Sequence, residues 1–193
     1  MNDTLTSLLD RLSHFGEMHD AQEVPHSRKM LNITPDTGRL LWILVRTRRA
    51  TRILEVGTSN AYSTIWLADA AREISGQVIT LERSPDKVTH ARANLSEAGL
   101  VEYVDLKEGD AAEALKQLPG PFDMVFLDAD RPQYLTYFEL VFPKLVSGGL
   151  LIADNVISHA QELTAYLSRV KADSRLFSVT LPVGKGEELS FKL

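Results

Sequence analysis

Thr51-Arg52-Ile53-Leu54-Glu55-Val56-Gly57-Thr58-Ser59-Asn60-Ala61-Tyr62-Ser63 is the stretch on which the fold turns. Residues 51–56 form a short β-rich run that ends in Gly57, and from Tyr62 to Glu73 apolar residues recur at helical spacing. That is one β–α unit, and the chain repeats it. Gln77–Glu82 reads as a second strand, followed by a helix from Pro85 to Ala98. Tyr103–Lys107 and Phe122–Leu127 read as the third and fourth strands, with helices over Ala111–Leu118 and about Gln133–Leu145. Leu150–Ala153 is a fifth, followed by a helix over Gln161–Lys171. Leu176–Leu181 and Glu188–Leu193 flank Pro182-Val183-Gly184-Lys185-Gly186, a hairpin signal. Five β–α units in series predict an α/β fold: a mostly parallel sheet with helices on both faces and an antiparallel pair at one edge.

Upstream, Leu5, Leu8, Leu9, Leu12 and Phe15 recur at helical spacing. Thr34-Pro35-Asp36 reads as an N-cap followed by proline at the first helical position, opening a second helix through Val45. The 193 residues fit a single domain, with 1–50 as a helical N-terminal segment and 51–193 as the α/β core. There is no cysteine, so disulfides, thiolate metal sites and cysteine nucleophiles are excluded together. A net charge of −5 argues against a nucleic-acid binder that works by bulk charge. No stretch approaches 18 apolar residues and the N-terminus lacks a leader pattern, so the expected location is cytoplasmic, with no membrane partner.

In a parallel sheet, ligands bind outside the carboxyl ends of the strands, where strand order reverses. That rule selects the residues after positions 56, 82, 127 and 153. After the first strand comes a single glycine, Gly57, rather than the three of a dinucleotide fingerprint, which disfavours NAD. Glu82 lies 25 residues beyond Gly57, at the next strand's end, where a carboxylate can accept from ribose hydroxyls. In Gly109-Asp110-Ala111, Asp110 can accept from an exocyclic amine or cap the next helix, and the two roles are compatible. Leu127-Asp128-Ala129-Asp130 and Ala153-Asp154-Asn155 follow adjacent apolar strands. Two carboxylates and a carboxamide in one crevice repel unless a cation joins them, and hard oxygen donors suit Mg²⁺, Ca²⁺ or Mn²⁺. The plainer reading is that Asp128 and Asp154 cap the following helices.

Taken in order, Glu55-Val56-Gly57-Thr58, Tyr62-Ser63, Glu82, Gly109-Asp110-Ala111, Phe126-Leu127-Asp128-Ala129-Asp130 and Gly148-Gly149 through Asp154-Asn155 resemble the cation-dependent O-methyltransferases. This is the catechol and caffeoyl-coenzyme A group of S-adenosylmethionine enzymes, and the resemblance runs over about residues 28–193. It implies a Rossmann-like class I methyltransferase with a seven-stranded sheet and a reversed last strand. It places Glu55, Gly57, Thr58 and Ser63 around the methionine portion of S-adenosylmethionine, Glu82 at its ribose, and Asp110 with Ala111 at its adenine. Asn32 matches a segment that closes over the cofactor. Asp128, Asp154 and Asn155 match the metal ligands, with Mg²⁺ the first expectation, and Asp128 also touches cofactor and takes part in catalysis. The metal acts as Lewis acid and as template for two vicinal oxygens.

Three departures stand out. Relatives often carry lysine three residues after the first metal aspartate, where this chain has Arg131, which stays protonated and so stabilises charge without acting as a base. Relatives commonly have glycine before Tyr62, where this chain has Ala61. The segment from Asn155 to Gln161 is short, which leaves the acceptor site open or completed by a partner subunit.

His14, His19, His26 and His90 read as surface residues, with His159 the best exception. Trp42 and Trp66 read as core, and Arg46, Arg48, Arg49 and Arg52 as a solvated helix end or, alternatively, a local RNA patch. The expectation is a metal-dependent O-methyltransferase acting on a catechol-like small aromatic, forming a homodimer with the N-terminal helix as a plausible interface. The alternatives are methylation of a hydroxylated tRNA nucleoside, a cofactor-binding protein with reduced turnover, and an NAD oxidoreductase.

Overall fold

The computed structural model describes residues 2–22 and 24–193. Helix α1 (Asp3–Asp20) starts where the Asn2 side chain accepts from the Leu5 backbone N–H, and α2 (Pro35–Arg48) starts at Thr34, whose hydroxyl caps Thr37. Both satisfy amide donors that a helix start otherwise leaves open. Strand and helix then alternate: β1 (Arg52–Val56), α3 (Tyr62–Arg72), β2 (Gln77–Glu82), α4 (Pro85–Glu97), β3 (Val104–Glu108), α5 (Ala111–Gln117), β4 (Phe122–Leu127), α6 (Tyr134–Val141), β5 (Leu145–Ala153) and α7 (Thr164–Lys171). Strands β6 (Leu176–Leu181) and β7 (Glu187–Lys192) form the terminal hairpin.

The seven strands lie in the order β3-β2-β1-β4-β5-β7-β6, and β7 alone runs against the others. Strand order therefore reverses between β1 and β4. Register does the rest: Val56 pairs with Leu127, and Leu127 with Ala153. Gly57, Asp128 and Asp154 thus leave the sheet side by side at one level. Ala153 also pairs with Glu188, which carries the start of β7 to the same place.

Side chains alternate across the sheet as the pleat requires. Ile53, Met124, Phe126 and Ile152 pack under α1–α4, and Leu54, Val125, Leu127 and Leu151 under α5–α7. Burying side chains of this size stabilises the sheet by about 1.5–3 kcal/mol each. The apolar stripe of α1, Leu5, Leu8, Leu9 and Leu12, enters the chain's own core, leaving Phe15 and Met18 as its exposed apolar residues. Among the described residues no helix is long and apolar enough to cross a membrane.

Two boundaries differ from the sequence reading. Strand β5 begins at Leu145 rather than Leu150, because a register irregularity opposite Phe122 and Met124 lets the Gly148-Gly149 pair lie inside the strand. Helix α7 begins at Thr164 rather than Gln161, because residues 156–163 form turns in which His159 N–H donates to the Asn155 carbonyl (2.9 Å).

Candidate active site

A cavity of about 630 Å³ opens at the carboxyl ends of the strands, beside the reversal in strand order. Its floor is the β1–α3 loop against the β4 loop. Gly57 holds φ +103°, and a Cβ built there would lie 2.0 Å from the Asp128 carbonyl oxygen. Only glycine permits that approach. Ala61, with φ 68°, and Ser59, with φ 48°, are left-handed without being glycine. For Ala61 that conformation costs about 1–2 kcal/mol, so the departure noted in the sequence is a strained residue in the β1–α3 loop.

Glu55 faces α3 from the middle of the sheet and is fully buried. Its carboxyl accepts from the hydroxyls of Ser63 (2.6 Å), Thr64 (2.5 Å) and Thr80 (2.6 Å). Burial raises its pKa to about 7 against the opposing pull of these donors. Ser63 lines the cavity and Glu55 does not, so the structure seats the carboxyl behind the wall as an anchor for the start of α3. Thr58 joins the same network through Thr80 (2.6 Å).

Glu82 does line the cavity, and each of its oxygens already accepts one backbone N–H, from Ser59 (2.8 Å) and Ser84 (2.9 Å). Asp110 caps α5 by accepting from Glu113 N–H (3.0 Å) and, with Ala111, stands on the same wall. Asn32 lies across the opening, donating to the Leu12 carbonyl (3.0 Å) while its Oδ1 is buried without a partner among the described residues. Asp20 holds this strap by accepting from Met30 and Leu31 N–H (2.7 Å each), and the Ser59 hydroxyl donates to the Met30 carbonyl (2.6 Å).

Asp128 and Asn155 line the far end of the cleft, and Asp154 is buried beside them without lining it. The Asn155 amide nitrogen donates to Asp128 (3.0 Å) and to Asp154 (3.1 Å), and Asn155 is itself left-handed, with φ 72°. Desolvation, reinforced by the charge of Asp154, raises the Asp128 pKa well above the usual carboxylate range. Burial likewise raises that of Asp154. Among the described residues no three His, Asp or Glu side chains form a metal-type cluster, so the candidate set is two carboxylates and one carboxamide. Neither aspartate caps a helix: β4 and β5 are followed by a short turn and an irregular segment.

Sequence reasoning missed two residues here. Glu187 is fully buried, accepts from the Thr37 hydroxyl through one oxygen (3.0 Å) and faces Asp154 with its charge. Desolvation, then the Asp154 charge, pushes its pKa up to about 10. Lys185, at the hairpin tip, lines the cavity, and its charge opposes the rise in both aspartates. The strand pairing that carries both to β5 has no local signal.

Arg131 stands in the cleft wall with its Nε on Glu162 (2.8 Å). His159 lines the cavity, and so does His26, which is exposed as its sequence reading expects. Trp66 is core, while Trp42 is only partly buried and donates to Asp69 (2.9 Å). Of the four clustered arginines, Arg48 donates to the Gly148 carbonyl (2.7 Å), Arg46 stacks on Trp42 and Arg52 on Phe122.

Comparison with known proteins bears on this geometry. The model of the O-methyltransferase family matches residues 12–193. A catechol O-methyltransferase of Niastella koreensis is 40% identical over 137 residues, 69% of this chain and 62% of that protein. A catechol O-methyltransferase of Mycobacterium tuberculosis is 37% identical over 139 residues, 72% of this chain and 61% of that protein. The match thus spans about three fifths of the length of these curated relatives. Among solved structures, the O-methyltransferase from Bacillus cereus in complex with SAH is 28% identical and superposes with a TM-score of 0.83 over 97% of this chain and 91% of that one. The O-methyltransferase TomG from Streptomyces achromogenes, in complex with SAM, is 27% identical with a TM-score of 0.81 over 100% and 90%.

Proposed function

This chain belongs to the O-methyltransferase family, and on that premise we propose that it transfers the methyl group of S-adenosylmethionine to one hydroxyl of a small aromatic vicinal diol, with a divalent cation. The observation that carries the proposal is the pairing of Asp128 and Asp154 around Asn155 at the end of the cleft. Like charges this close, with one amide between them, favour a cation in the same place. The donor set fits a hard divalent ion: two carboxylates and, after a half-turn of the amide, the Asn155 oxygen. Such an ion supplies Lewis acidity and a two-oxygen template when bound. The names of the curated relatives support a catechol-type acceptor.

The remainder of the cleft suits the methyl donor, which the SAH and SAM complexes of the solved relatives support. Gly57, Thr58 and Ser63 would flank the methionine portion, with Glu55 holding Ser63 from behind. Each Glu82 oxygen keeps lone-pair capacity for a ribose hydroxyl. Asp110 and Ala111 would border the adenine, and Asn32 has an unpartnered oxygen to offer from the strap. An acceptor oxygen aligned with the sulfonium forms the O–CH₃ bond as the C–S electron pair returns to sulfur, and its hydroxyl proton leaves to water. The chain's work is alignment and charge placement, the largest levers for such a displacement.

The test is release of S-adenosylhomocysteine from S-adenosylmethionine with a panel of catechols. EDTA should stop turnover and added Mg²⁺ or Mn²⁺ restore it. Turnover that survives EDTA refutes the cation role. Absence of turnover with every diol refutes the acceptor class.

A further inference from the structure

Two cationic side chains border the acceptor end of the cleft, and they differ in freedom. Arg131 is committed to Glu162 at 2.8 Å. Lys185 has no ion pair or side-chain hydrogen bond among the described residues, although it lines the same cavity as Asp128 and Asn155. Its position is fixed from below. The Lys185 carbonyl accepts from Ser158 N–H (2.9 Å) and Ile157 N–H (3.3 Å), and the Gly186 carbonyl from Val156 N–H (2.9 Å). These bonds clamp the hairpin tip onto the segment that follows Asn155. On the other side Glu187 leads straight into the pairing of β7 with β5. A lysine stem held at its base can still swing its ammonium over the opening.

We infer that Lys185 is the acceptor-site cation of this chain: its ammonium holds the ionised oxygen of the aromatic diol during methyl transfer. The inference rests on the acceptor reading above. Its physical basis is that the attacking oxygen carries negative charge once its proton has gone to water, before the O–CH₃ bond forms and the C–S bond breaks. A free ammonium beside that oxygen lowers the cost of the charge without taking the proton itself. Lys185 shares the cavity wall with Asp128 and Asn155, so its flexible stem can bring the ammonium to an oxygen bound at that end of the cleft. Arg131, turned to Glu162, is the weaker candidate for the same task.

The experiment uses 4-nitrocatechol, whose ionised form is coloured, in a complex that cannot react: full-length protein, Mn²⁺ and S-adenosylhomocysteine. At a pH below the free probe's first ionisation, the wild type should bind it as the coloured anion. Lys185→Met should weaken probe binding about tenfold or more, as for one charge-assisted hydrogen bond, and reduce the coloured fraction. S-adenosylhomocysteine affinity by calorimetry should stay within about threefold, and Mn²⁺ affinity by electron paramagnetic resonance should not fall, since losing a positive charge beside Asp128 and Asp154 removes repulsion of the cation. Lys185→Arg should recover part of the colour. The inference is overturned if Lys185→Met binds the coloured anion like the wild type, if Mn²⁺ affinity falls in step with the probe, or if Arg131→Met causes the larger loss. A wild type that forms no coloured complex overturns the diol reading itself, and this inference with it.

Discussion

Replacing Gly57 by alanine tests the contact on which the site is built. The new Cβ would sit 2.0 Å from the Asp128 carbonyl oxygen and 3.2 Å from the Ala129 Cα, so one loop must move away from the other by about 1 Å or more. Overpacking of this kind costs about 1–3 kcal/mol, and an alanine held at positive φ about 1–2 more, for a sum of about 2–5 kcal/mol. In a chain of this size each kcal/mol lowers Tm by about 2–4 °C, so the fall should be at least about 4 °C. Gly99→Ala is the reference: φ is +65° there, but a Cβ would meet nothing within 4 Å. The difference between the two variants isolates the contact with the Asp128 carbonyl. Both should be followed by urea unfolding and by calorimetry with S-adenosylhomocysteine and Mn²⁺. Gly57→Ala should also weaken cation binding, because the displaced carbonyl belongs to Asp128. Equal stability of the two variants, with ligand binding intact, would refute the reasoning that a close backbone approach shapes this cleft.

Asp154→Ala should remove cation-dependent turnover while leaving S-adenosylhomocysteine affinity within about threefold, because Glu82 and Asp110, the residues proposed to meet the nucleoside, follow β2 and β3; calorimetry and a turnover assay check it. Glu187 has a folded-state pKa of about 10 against an ordinary 4.5, so its contribution to stability is present below pH 4.5 and is lost progressively as pH rises toward 10. Glu187→Gln, which cannot ionise, should therefore gain Tm relative to the wild type at pH 8 and not at pH 4, measured without added cation. Asp173 is held well below the usual carboxylate range by Arg175, with Arg169 assisting. Its stabilisation is present above about pH 4 and fades as pH falls, so Asp173→Asn should lower Tm at pH 7 by an amount that narrows as pH falls from 4 toward 2.

What the sequence makes legible here is whatever is carried by local pattern. Period-2 and period-3.6 runs mark β1 and α3, Pro35 and Pro85 mark helix starts, and the strand-end rule selects Gly57, Glu82, Asp128 and Asp154. The strand boundary at Leu145 was not legible, because Gly148-Gly149 reads as a break when only local propensity is considered, whereas pairing with β4 absorbs the irregularity.

The harder losses are those of register. Glu187-Glu188 opens a strand whose alternation suggests two ordinary acidic residues, one on each face, yet both are fully buried. Antiparallel pairing of β7 with β5 sets Glu188 opposite Ala153, and so delivers Glu187 to Asp154 and Lys185 to the mouth of the cleft. A shift of one residue would reverse the face of every side chain in that strand. Glu55 shows the converse. The motif singled out its residue type, but the sheet's pleat turns it toward α3, where three hydroxyls receive it, so its effect on a ligand must pass through Ser63. Residue type in a motif therefore names the participants, and register decides which of them reach the cavity. In this chain the two groups that register adds act on the same pair: Lys185 opposes the rise in both aspartates, and Glu187 stands against Asp154.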